Sequence, residues 1–124
     1  MQGMLEIFHE TDKYMSEISG MDHFTFQPGG GSQGILTMAS VMRAYFKDKG
    51  EDRDEIITTI YSHPSDAAAP AVAGFKIVYL QPDEKTGVPD LEQLKAAAGP
   101  KTAGYIAVSY THLRAHATEL HLVC

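Results

Sequence analysis

Residues 54–80 read DEIITTIYSHPSDAAAPAVAGFKIVYL. Ile56, Ile57, Thr58, Thr59, Ile60 and Tyr61 are β-branched almost throughout, which suits a strand buried on both faces, and such strands favour parallel sheets. Lys76 to Leu80 repeats the pattern, and Gly74 marks the changeover into it. Between the two runs lies an alanine-rich stretch with Ser65 or Asp66 as possible N-cap, in which Pro70 makes any helix short or kinked. Strand, helix and strand joined by short connections form a crossover unit whose helix must cover one face of a sheet.

The same alternation continues on both sides. Upstream, Leu5, Ile7, Phe8, Tyr14, Met15 and Ile18 recur at helical spacing, and Gly20 ends that amphipathic helix. His23 to Phe26 is short and rich in β-formers, which predicts a strand stopped by Pro28 and Gly29 to Gly31. Ser32 is the natural N-cap of a helix whose apolar face is Ile35, Leu36, Ala39, Met42, Ala44 and Phe46 and which closes at Lys47, Lys49 and Gly50. Downstream, a turn with Pro82, Gly87 and Pro89 precedes a capped helix from Asp90 to Ala98, and Thr102 to Ser109 forms a further strand. The predicted order is αβαβαβαβ: a three-layer αβα, mostly parallel α/β fold with four strands. A complete doubly wound domain has five or more, so at least one edge of the sheet is expected to be missing.

Composition narrows the function classes. With 44% hydrophobic and 21% charged residues, the 124-residue chain is ordinary for a globular protein. Sixteen acidic against ten basic residues give a formal charge of -6, which repels phosphate backbones, so no nucleic-acid partner is expected. No apolar run is long enough to suggest a membrane span. Cys124 is the only cysteine, so no intrachain disulfide can form; with no secretory signal at the start, a cytoplasmic location is expected.

The chemistry-bearing stretch is Phe26-Gln27-Pro28-Gly29-Gly30-Gly31-Ser32-Gln33-Gly34, a glycine loop running into a helix. Glycines let a backbone approach an anion, the first helical turn offers free N–H groups at a positive dipole end, and Ser32 adds a hydroxyl. No GK[ST] follows, so this is not a P-loop; Gly29, Gly31 and Gly34 match the spacing of a dinucleotide fingerprint, but no acid ends the next strand. A single phosphate fits better, and a ligand-free glycine turn is the plain alternative. His63 stands where a parallel strand ends, the edge at which open α/β sheets bind ligands. Its imidazole is suited to stacking on an aromatic ring, donating a hydrogen bond or exchanging a proton; the plain alternative is a loop histidine capping the next helix.

Four stretches in order carry a family resemblance: GMLEIFHETDKYMSEISGMDHFTFQPGGGSQG (3–34), MRAYFKDKGEDRDEIIT (42–58), the histidine segment with AAAPAVAGFKIVYL (67–80), and GVPDLEQLKAAAGPKTAGYIAV (87–108). Residues 3–108 resemble the P-proteins of the glycine cleavage system, pyridoxal-phosphate-dependent glycine decarboxylases, in their carboxy-terminal-half or second-subunit form. The resemblance implies part of the large domain of a fold type I (aspartate aminotransferase-like) enzyme over residues 1–108. It further implies that Gly31, Ser32 and Gln33 bind the phosphate of pyridoxal 5'-phosphate and that His63 stacks on its ring. Glycine is then the substrate, and the lipoyl H-protein and the other P-protein subunit or half are the partners. The family's histidine segment runs His-Gly-Thr-Asn-Pro, whereas this chain has His63-Pro64-Ser65-Asp66-Ala67, so family contacts cannot be assigned to Ser65 and Asp66. Nothing matches the segments holding the family's Schiff-base lysine and ring-nitrogen aspartate. Lys76, Lys95 and Lys101 occupy a strand start, a helix and a turn, so the chain is expected to lack a catalytic residue and to be inactive alone. Other fold type I enzymes, such as an aminotransferase or a cysteine-desulfurase-like protein, are the nearest alternatives; a non-catalytic α/β module binding a phosphate-bearing ligand is a third. Residues 109–124 resemble translated sequencing-adapter read-through. His112, His116 and His121 lie there without an acidic or cysteine partner, so no metal site is expected.

Overall fold

The computed structural model describes residues 1–107. The chain divides into two compact units, Met1–Gly31 and the part from Ser32 onward. In the first unit, α1 (Gln2–Ser19) ends at Gly20, whose φ of 72° is the left-handed conformation that glycine adopts without strain. The expected strand at His23–Phe26 is not formed. A strand needs a neighbour to take its backbone groups, and among the described residues this segment has no ladder partner. The Phe24 N–H donates instead to the Asp12 carboxylate.

In the second unit the order is α2 (Gly31–Lys49), β1 (Glu55–Thr59), α3 (Ser65–Val72), β2 (Lys76–Leu80), α4 (Leu91–Ala97) and β3 (Thr102–Tyr105). The sheet of the described residues thus has three strands rather than four, in the order β2-β1-β3. Both pairings are parallel, as the β-branched runs predict. β1 and β2 pair in unbroken register from Glu55 with Lys76 to Thr59 with Leu80. Against β3 the register slips between Glu55 and Ile56, which face Thr102 and Gly104. The strand expected from Thr102 to Ser109 stops at Tyr105: Ile106 and Ala107 are outside it, although the Ile106 N–H still donates to the Ile57 carbonyl at 2.9 Å, and residues 108–109 lie outside the described residues.

Two crossovers run in opposite directions along this sheet, from β1 out to β2 and from β2 back past β1 to β3. Right-handed connection places α3 on one face and α4 on the other, which gives the layered α/β architecture. α4 is capped as expected, Asp90 accepting the Glu92 N–H at 2.9 Å. α3 is short and holds Pro70 inside it, but neither Ser65 nor Asp66 caps it: the helix already starts at Ser65, and Pro64 in the capping position has no side-chain acceptor. Ser32 likewise sits within α2, because Gly31 is already helical.

The core is seated on β1. Ile56 and Ile57 are 0% and 1% exposed. Ala39 of α2, Ile56 and Phe75 form the buried cluster, with Met42, Ile77 and Ala103 packed against it. Arg43 lies over the Phe75 ring at 5.3 Å, so its cation closes the cluster while remaining near the surface. Replacing Ile56 by Ala removes buried contacts in the middle of the sheet. The expected cost is about 2–5 kcal/mol, read as a lower midpoint in urea unfolding.

The amino-terminal edge is closed electrostatically. The N–H groups of Asp54 and Glu55 both donate to the Lys101 carbonyl at 3.0 Å, and the Lys76 N–H donates to the Asp54 carbonyl at 2.8 Å. The Asp54 carboxylate meets Lys76 Nζ at 2.8 Å. Hydrogen bonding to Lys76 holds the Asp54 carboxyl below the ordinary carboxylate range and raises the Lys76 ammonium above its usual value. A lowered carboxylate lends stability that is present above its unfolded pKa and drains as pH falls through the folded one. Acid titration is therefore expected to destabilise the wild type below about pH 4, and Asp54→Asn is expected to flatten that acid limb in unfolding measured against pH.

Candidate functional site

The chain passes from β1 to the adjacent β2 and then back across to β3, so the connections leaving the carboxyl ends of β1 and β2 run to opposite faces, and the crevice beyond such a pair of strand ends is where open α/β sheets take ligands. The chain leaves β1 through a tight turn, Ser62 N–H donating to Thr59 O at 3.1 Å and Thr59 Oγ1 lying 3.1 Å from Ser62 Oγ. His63 follows at once, half-buried, and its carbonyl accepts the Asp66 N–H at 2.8 Å. Its ring is fixed as well: Nδ1 lies 2.5 Å from Ser65 Oγ and accepts the Ser65 N–H at 3.1 Å. Ser65 is the first residue of α3, so this histidine satisfies an otherwise orphaned helix N–H from outside the helix. The capping role is therefore real, and it engages the Nδ1 edge of the ring.

A cavity of about 420 Å³ lies between α2 and α3. It is lined by Ser32, Gln33 and Leu36 from the first turns of α2 and by His63, Ser65 and Ala68 around the start of α3. Three of the four residues singled out in the sequence thus converge on one cavity. The fourth, Gly31, is the first residue of α2 and precedes Ser32 directly. A Cβ added at Gly30 or Gly31 would meet nothing within 4 Å, so open space adjoins this backbone. A second cavity of about 410 Å³ shares His63, Pro64 and Ala68 with the first and extends along Thr58 and Tyr79. His63 therefore stands on the boundary of both.

The donor set suits an anion at one end and a flat ring at the other. The N-terminal turn of a 19-residue helix offers N–H groups and a positive dipole end beside the Ser32 hydroxyl. No lysine lines either cavity. Lys76 is engaged by Asp54, and Lys95 by Glu92 at 2.7 Å. At the far side of the sheet end, burial together with the negative charge of Asp66 pushes the Tyr105 phenol above its ordinary value. Among the described residues no group of three His, Cys, Asp or Glu is placed to hold a metal. His112, His116 and His121 lie outside the described residues.

Two contacts went unrecognised in the sequence. One is that of Ser65, expected only as a possible N-cap, whose N–H and hydroxyl instead meet His63 Nδ1. The other is that of Asp12. It lies mid-helix in α1, yet its carboxylate accepts the Phe24 N–H at 2.6 Å and meets the His23 ring at 3.1 Å. Phe8 also stacks on Phe26 at 5.5 Å, so the strip leading to the glycine loop is laid along α1 within the first unit. The bond from Phe24, with that from His23, holds the Asp12 carboxyl below its ordinary value.

Comparison with known proteins adds an independent line. Residues 30–123 match the model of the DegT/DnrJ/EryC1/StrS aminotransferase family. The chain is 42% identical over 105 residues to a probable glycine dehydrogenase (decarboxylating) subunit 2 of Thermococcus gammatolerans, a match over 84% of this chain and 21% of that protein. It is also 42% identical over 103 residues to the Desulforamulus reducens protein of the same name and 39% over 106 residues to that of Thermoplasma volcanium. This chain therefore spans about a fifth of the length of these relatives. Among solved structures, a sphingosine-1-phosphate lyase of Burkholderia pseudomallei shares the fold, with a TM-score of 0.54 at 24% identity over 59% of this chain and 17% of that one. If Asp12 ties down the approach to the loop, Asp12→Ala is expected to speed amide exchange at Phe24 roughly tenfold, with exchange in β1 unchanged.

Proposed function

This chain belongs to the DegT/DnrJ/EryC1/StrS aminotransferase family, and on that footing we propose that it is part of the cofactor-binding large domain of a pyridoxal-phosphate-dependent glycine decarboxylase. The observation that carries the proposal is the convergence of Ser32, Gln33 and His63 on one cavity at the carboxyl end of a parallel sheet. Choosing glycine decarboxylation over amino-group transfer rests on the 42% identity to glycine dehydrogenase subunits across most of the chain. Residues 1–108 are proposed to form this part of the domain, and residues 109–124 to be foreign to it.

Each residue of the site has a separate task. The α2 amino terminus at Gly31, with the Ser32 hydroxyl and Gln33, binds the cofactor's phosphate by hydrogen bonds and the helix dipole. His63 lies against the cofactor ring and orients it, its own ring anchored through Nδ1. Leu36, Ala68 and Val72 give the cavity an apolar side. When bound, pyridoxal 5'-phosphate supplies a conjugated electron sink that allows glycine to lose its carboxylate as carbon dioxide. The aminomethyl group is proposed to pass to the lipoyl arm of the H-protein, with the other P-protein subunit or half completing the enzyme. The covalent lysine comes from outside the described residues, so this chain alone is expected to turn over no glycine. Among the described residues no helix is long and apolar enough to cross a membrane, and a cytoplasmic site of action is proposed.

Titrating the purified chain with pyridoxal 5'-phosphate, followed by absorbance and fluorescence, is expected to show weak binding that falls roughly tenfold in Ser32→Ala and in His63→Ala. A folded circular dichroism spectrum with no binding would favour a non-catalytic module instead. For the whole enzyme, exchange of labelled bicarbonate into the glycine carboxyl is expected. Amino-group transfer without that exchange would select the aminotransferase alternative.

A further inference from the structure

The His63 ring is approached at a single nitrogen by two groups of one residue. The Ser65 N–H reaches Nδ1 at 3.1 Å, and the Ser65 hydroxyl oxygen lies 2.5 Å from the same atom. A backbone N–H can only donate, so Nδ1 must present a lone pair. The hydroxyl, whose proton rotates freely, then donates to that lone pair as well, and Ser65 is buried, with little water to compete. An imidazole that accepts at Nδ1 carries its proton on Nε2.

We propose that Ser65 is a positioning residue that locks His63 as the Nε2–H tautomer and clamps the ring by its Nδ1 edge. In this form the ring is not a base, because Nδ1 is occupied and Nε2 already holds its proton; proton abstraction from the substrate falls to another group. The identity of a ligand in the cavity rests on the function proposed above. The tautomer does not, since it follows from hydrogen bonds within residues 63–65.

The test uses the chain with 15N-labelled histidine. Long-range proton–nitrogen spectra recorded without any ligand are expected to show a pyridine-like Nδ1 and a pyrrole-like Nε2 for His63, with a through-hydrogen-bond coupling from the Ser65 amide to Nδ1. Ser65→Ala keeps the N–H but loses the hydroxyl. It is expected to move the Nδ1 signal toward that of unrestrained imidazole and to weaken pyridoxal 5'-phosphate binding about three- to tenfold, while Ser65→Thr restores both. A wild-type Nδ1–H tautomer overturns the proposal, as does a Ser65→Ala chain with unchanged nitrogen shifts. A wild type that binds no cofactor yet shows the expected tautomer and coupling would sink the function proposed above and support the role of Ser65 in fixing the ring.

Discussion

The structure depends on β1 being occupied on all four sides. Its backbone is hydrogen-bonded to β2 on one edge and β3 on the other, and Ile56, Ile57 and Thr58 are buried on alternating faces. A backbone group left unpaired in such surroundings would cost as much as a lost hydrogen bond. Both neighbours must therefore be strands, and parallel ones demand crossover helices. That requirement places α3 and α4 and fixes where the chain emerges at Ser62 and His63. The candidate site follows from this arrangement: α3 follows the carboxyl end of β1 and α4 that of the adjacent β2, and their divergence leaves a crevice between the two strand ends.

What was legible in the sequence was the part controlled by short-range rules. Ile56 to Thr59 and Lys76 to Leu80 announce buried strands by β-branching, Asp90 caps its helix by a contact two residues away, and Gly20 takes the left-handed turn that other residues resist. The extended segment at 23–26 misled because strand formation belongs to a pair of segments. Phe24 has β propensity but no ladder partner among the described residues, and a carboxylate took its N–H. The register slip between β1 and β3 escaped notice for a similar reason: it reflects how Gly104 faces Ile56 rather than any property of either residue alone. The convergence of Ser32 and His63 was legible at one remove, since a helix start before a parallel strand and a loop after it lie at the same end of a sheet.

The two readings of His63, helix cap and ligand contact, turn out to be compatible. An imidazole has two edges and two faces. The bond from the Ser65 N–H uses an edge of the ring rather than a face, and it limits ring rotation that a stacked contact would otherwise have to freeze. Residue 65 supplies a backbone N–H whatever its side chain, so that half of the clamp does not depend on the hydroxyl.

The same donor set would hold the proposed cofactor only weakly by itself. A helix amino terminus contributes up to about 2 kcal/mol toward an anion, a stacked aromatic pair about 1 kcal/mol, and a hydroxyl hydrogen bond about 1 kcal/mol. Together these reach on the order of 4 kcal/mol, which corresponds to millimolar affinity. Holding a cofactor through repeated turnovers requires far more, and no lysine lines either cavity to supply it as a covalent bond. On the proposed reading, the described residues orient a phosphate and a ring without themselves supplying tight retention.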